Sequence, residues 1–153
     1  MRHIDIARGK TALLTVFTLS ILLFGTLSIF HLLDGRALLA AQLVILSAAL
    51  DGIDGTIARS LKAESRFGAQ LDTYVDTVCF AVAPAMLAAL SLCPGQWPWG
   101  ALTAFAIIAA GVLRFARGCE LPSTAAGHGF RGLPIPVGAV WICLLYTSDA
   151  ADE

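Results

Sequence analysis

Residues 11–33 read TALLTVFTLSILLFGTLSIFHLL, a run of 23 residues in which His31 is the only ionisable side chain. At 1.5 Å of rise per residue, a helix of this length crosses a hydrocarbon core of about 30 Å. Arg2, Asp5, Arg8 and Lys10 precede the run. It is too long for a signal-peptide core and has no clear small-residue cleavage site, so it reads as a retained span.

Working outward, the pattern recurs. Residues 37–50 are apolar or small apart from Gln42 but number only 14, so this helix must continue through Asp51-Gly52-Ile53-Asp54-Gly55 to reach spanning length. A polar break at 62–66 follows. Residues 67–92 form a third candidate, with Asp72 and Asp76 in its first half. Residues 93–100, CPGQWPWG, read as an uncharged interfacial turn with two Trp. A fourth span starts at residue 101 and ends near Arg117. A polar, Gly-rich loop covers 120–133, and a fifth span begins at residue 134. The expected fold is all-α, a polytopic membrane helix bundle with about five spans.

Composition agrees. Of the 153 residues, 58% are hydrophobic and only 14% charged, against about 25% charged in soluble domains. This excludes a disordered chain, a nucleic-acid module and a disulfide mini-protein. Cys79, Cys93, Cys119 and Cys143 contain no C-x-x-C pair, so neither a zinc site nor a disulfide framework is expected. The basic residues give the orientation. With the N-terminus inside, nine of the ten Lys and Arg lie on the cytoplasmic side, and only Arg36 lies outside. Residues 143–153, CLLYTSDAADE, interrupt the fifth span early and resemble a translated adapter sequence. The expected division is therefore a membrane domain over 1–142 and a non-native tail over 143–153.

Four carboxylates carry the chemistry. Asp51 and Asp54 are three residues apart on the second helix, and Asp72 and Asp76 are four apart on the third. Each pair therefore shares a helix face. A bare Asp within a span costs about 2.5–3.5 kcal/mol on insertion scales, and four converging carboxylates repel one another, so a positive partner is needed. Oxygen ligands without His or Cys suggest Mg²⁺, Mn²⁺ or Ca²⁺. Room for two ions suits phosphoryl chemistry. Gly52, Gly55 and Gly68 allow close approach of a helix or a ligand.

The stretch 51–76, DGIDGTIARSLKAESRFGAQLDTYVD, resembles the signature of the CDP-alcohol phosphatidyltransferase family. That signature is D-x-x-D-G-x-x-A-R-x8-G-x-x-x-D-x-x-x-D, and every fixed position matches. The resemblance implies a six-span membrane enzyme that binds two divalent cations, Mg²⁺ or Mn²⁺, at the cytoplasmic face, often as a homodimer. It implies that Asp51, Asp54, Asp72 and Asp76 bind metal and that Asp76 also acts as general base. It assigns Gly55, Arg59 and Ser65 to the CDP-diacylglycerol donor. A multi-pass protein of a bacterial cell membrane, with N-terminus and active site cytoplasmic, is expected.

Two further stretches are similar to the branch of the family whose acceptor is L-serine: FGAQLDTYVDTVCFAVAPA at 67–85 and FRGLPIP at 130–136. The sequence departs from that branch at Tyr74-Val75 before Asp76, at Cys79, and at Lys10-Thr11, where Pro-Asn is usual. Arg117 and Arg131 are the candidates for holding the acceptor's carboxylate. The alternatives are another acceptor, glycerol 3-phosphate or an inositol phosphate, and a cation or proton carrier. Clustering of the carboxylates at one face, rather than along a path, argues against the carrier.

Overall fold

The computed structural model describes the backbone of residues 2–61, 66–120 and 135–149. These residues form α1 (Arg2–Leu33), α2 (Ala37–Leu61), α3 (Arg66–Asp76), a π-helical segment (Thr77–Val82), α4 (Ala83–Leu92), α5 (Trp97–Glu120) and α6 (Ile135–Asp149). There is no strand among them. Four stretches are long and apolar enough to cross a membrane: Ala12–Leu33, Ala37–Ile57, Phe67–Ser91 and Trp97–Arg117, with a shorter apolar helix at Pro136–Leu145. As expected, α2 runs straight through the Asp51–Gly55 segment.

The α1–α2 connection is set by Gly35, whose φ is +77°. Gly35 N–H donates to Leu32 O, and Arg36 N–H donates to His31 O. This pair of bonds closes a helix end around a left-handed residue, a conformation that Gly adopts without strain. Ser28 then ties the hairpin together, its Oγ donating to Ala40 O at 2.9 Å.

The α3, π and α4 pieces form one uninterrupted rod. Pro84 is the reason for its wide turn. Proline lacks an N–H, and its ring obstructs the carbonyl four residues back. The chain instead bonds across five residues, Ala83 N–H donating to Val78 O. The turn expected over 93–100 is shorter than the sequence reading had it. It ends at Gln96, with Gly95 at φ +73°, and α5 already begins at Trp97. Pro98 sits in the first turn of α5, where a missing N–H costs nothing.

The core is built largely of small residues. Ala40, Ala41, Val44, Cys79, Ala83, Ala85, Leu87, Ala139 and Cys143 are all buried. In lipid no hydrophobic force drives helices together, so close backbone approach and dispersion contacts must do so. α1 packs on α2 and on the third rod, α6 packs on α2, and α5 packs on the π segment and α4. α6 continues as helix to Asp149 across residue 143.

Candidate metal centre

Asp51 projects from α2, and Asp72 and Asp76 from α3. One carboxylate oxygen from each lies within 4.8 Å of the other two. Oxygens on opposite sides of a Mg²⁺ at about 2.1 Å stand about 4.2 Å apart, so the cluster is close to the size a single ion would need. The two helices are neighbours, but they do not run flush. α2 meets the third rod through the π segment and α4 more than through α3, and α1 packs against both α2 and α3. The carboxylates therefore meet across an opening between α2 and α3.

Asp76 decides whether a cation fits. Its Oδ1 is buried, and no hydrogen-bond donor reaches it among the described residues. A buried carboxylate oxygen without a donor is costly. Two other carboxylates stand beside it. A divalent cation would supply what the protein does not, and an all-oxygen donor set would suit Mg²⁺ or Mn²⁺.

The other sequence candidates are spread along the same face and beyond it. Asp54 stands one helical turn after Asp51 on α2, and its side chain lies outside the described residues. Gly55 is exposed on α2. A Cβ at Gly52 would meet nothing within 4 Å, so Gly52 is not needed for helix packing. Arg59 lies further along α2. Its side chain, all of Ser65 and all of Arg131 lie outside the described residues. Arg117 is exposed in the last turns of α5.

Sequence reasoning passed over what lies directly behind Asp76. A Cβ at Gly25 of α1 would run into Cys79 Sγ and would stand 3.2 Å from Cys79 Cβ. Cys79 Sγ is 3.5 Å from Ile21 O, to which it donates. A Cβ at Gly111 of α5 would stand 2.9 Å from Ala81 Cβ. An isolated Gly within an apolar helical run is the signal that could have found both contacts.

Known proteins share this arrangement of sequence. Residues 11–149 match the profile of the family described as CDP-alcohol phosphatidyltransferase. A Helicobacter pylori protein named CDP-diacylglycerol–serine O-phosphatidyltransferase is 32% identical over 134 residues, covering 88% of this chain and 56% of the relative. A Mycobacterium tuberculosis protein of the same name is 36% identical over 121 residues, covering 76% and 42%. An archaetidylserine synthase of Methanothermobacter thermautotrophicus is 36% identical over 131 residues, covering 84% and 55%. The chain thus spans about half the length of the curated relatives it matches. With the signature intact from Asp51 to Asp76 and the family profile matched from residue 11 to residue 149, the chain belongs to the CDP-alcohol phosphatidyltransferase family.

Proposed function

We propose that the full-length protein transfers the phosphatidyl group of CDP-diacylglycerol to L-serine, releasing CMP and forming phosphatidylserine. The observation that carries this reading is the buried, donorless Oδ1 of Asp76, clustered with Asp51 and Asp72 inside a matching family signature. The names of the relatives support serine as the acceptor.

Asp51, Asp54, Asp72 and Asp76 would hold two divalent cations, Mg²⁺ or Mn²⁺. When bound, these polarise the diphosphate and offset the charge on its oxygens. Asp76 accepts the proton of the serine hydroxyl as that oxygen attacks the phosphorus bearing diacylglycerol, and the bond to CMP breaks. Gly55 leaves room for the donor's cytidine diphosphate, Arg59 neutralises its phosphates, and Ser65 donates to it. Arg131, with Arg117 as second candidate, holds the carboxylate of serine through a bidentate fork. A phosphorylated acceptor would require a denser basic cluster. The site faces the cytoplasm, where nine of ten Lys and Arg are expected, and the enzyme works as a homodimer in a bacterial membrane.

CMP release from CDP-diacylglycerol, measured against a panel of alcohols, tests the acceptor. Serine should support it, and excess chelator should stop it. Release with glycerol 3-phosphate but not with serine would reject the assignment. Arg131→Ala should raise the apparent KM for serine by the equivalent of about 1.5–3 kcal/mol, the scale of a charged hydrogen bond, and spare the donor lipid. An unchanged KM would move the role to Arg117. For orientation, a Cys at Arg36 in a cysteine-free background should react with an impermeant thiol reagent on intact cells. Reaction only in inverted vesicles would reverse the topology.

A further inference from the structure

Two of the closest helix approaches in the described structure fall on the same six residues, the π segment that begins just after Asp76. Gly25 of α1 admits Cys79 on one side, and Gly111 of α5 admits Ala81 on another. Cys79 also donates to Ile21 O of α1. Beyond the segment, α4 is fixed, since Ala85 and Leu87 are fully buried. Before it, α3 carries Asp72 and Asp76.

A helix turns by about 100° per residue. The widened turn inserts roughly one residue of register between the buried α4 and the carboxylates of α3. Were it to tighten into α-helix with α4 held in place, Asp72 and Asp76 would swing by about that angle, away from Asp51. Pro84 prevents the usual bond pattern but does not choose which residues absorb the extra turn. Contacts with the neighbouring helices must do that.

We infer that Gly25 and Gly111 are positioning residues for the metal centre: by admitting Cys79 and Ala81, they clamp the π segment and so set the angular register of Asp72 and Asp76 toward Asp51. The inference rests on the reading of the carboxylates as a cation site. Its test therefore measures ion binding and not turnover alone.

The probe is Mn²⁺, its binding followed through loss of the free-ion electron paramagnetic resonance signal, with the full-length protein in nanodiscs. Asp76→Asn must weaken binding in the otherwise unaltered protein. Gly25→Ala and Gly111→Ala should then each weaken Mn²⁺ affinity by about tenfold or more, the scale for losing a group that orients a metal ligand. The exchange Gly111→Ala with Ala81→Gly returns the missing space and should recover most of that loss. Gly100→Ala is the comparison for a purely structural role. Its Cβ would stand 3.3 Å from Ala89 O, in a contact between α5 and α4 well along the rod from Asp76. It should lower the melting temperature and leave Mn²⁺ affinity unchanged.

If the two Gly variants do not fold, the loosened variant Cys79→Ala with Ala81→Gly introduces no clash. It should still weaken Mn²⁺ binding by about threefold or more, a milder case of the same loss. Variants that fold and bind Mn²⁺ like the wild type would overturn the clamp and leave the metal centre standing. Mn²⁺ binding indifferent to Asp76→Asn would overturn the metal centre and the clamp together.

Discussion

The third rod and α5 are about equally apolar, yet they meet different surroundings. Of the most apolar stretch of the third rod, 56% is buried inside the bundle, against 11% for α5. The difference lies in position: the third rod packs against α1, α2, α5 and α6, whereas α5 packs chiefly against the rod. Residues 79–89 bring Cys79, Ala81, Ala83, Ala85, Ala88 and Ala89 to the interior. α5 turns Leu102, Phe105 and Leu113 outward. Hydropathy reports only that both helices live in lipid. Packing within lipid is decided by which helix can bring its backbone close to its neighbours. The rod that packs closely is also the one that carries Asp72 and Asp76. The positions of those side chains need a rigid support, and α5 packs closely against the same rod at Gly111, beside Ala81.

The sharpest way to probe this contrast is at the carboxylates. Asp72→Asn should lower phosphatidyl transfer by about two orders of magnitude or more, the scale of losing one preorganised electrostatic group. Near-normal turnover would mean that the packed rod does not carry the chemistry. Next in size is a pair of truncations. Leu87→Ala, in the buried α4, should cost about 2–5 kcal/mol of stability because it leaves a cavity. Leu102→Ala, on the exposed face of α5, should cost no more than about 0.5 kcal/mol, as surface changes usually do. Equal losses in a reversible unfolding titration would erase the distinction between the two helices. The smallest effect concerns the hairpin. Ser28→Ala removes the hydroxyl that reaches Ala40 O and should cost about 0.6 kcal/mol, the average for a hydrogen bond between membrane helices. A loss several times larger would show that α1 is held by polar contacts more than by small residues.

Much of the architecture is legible in the amino-acid sequence. The run at 11–33 predicted a span, and α1 contains it. The 14 residues at 37–50 were too few, which forced the second helix through Asp51 and Asp54, and α2 does run through them. The turn before α5 was misjudged because Trp97-Pro98-Trp99-Gly100 has turn-like composition. A proline in the first turn of a helix is well tolerated, so composition could not mark the boundary. The π segment was also missed. Pro84 announces a disturbance in the bond pattern, but not where the extra residue is absorbed.

The amino-acid sequence by itself determined the solvent of this protein and the order of its carboxylates. Long apolar runs have no other medium, and spacings of three and four residues put carboxylates on one face of a helix whatever surrounds it. Only the tertiary structure decided that Asp51, from one helix, meets Asp72 and Asp76, from another, within 4.8 Å. A helical period fixes directions within a single helix. The angle and register between helices depend on where small residues let backbones close in, as Gly25 does on Cys79 and Gly111 on Ala81, and those pairings join positions 54 and 30 residues apart in the chain.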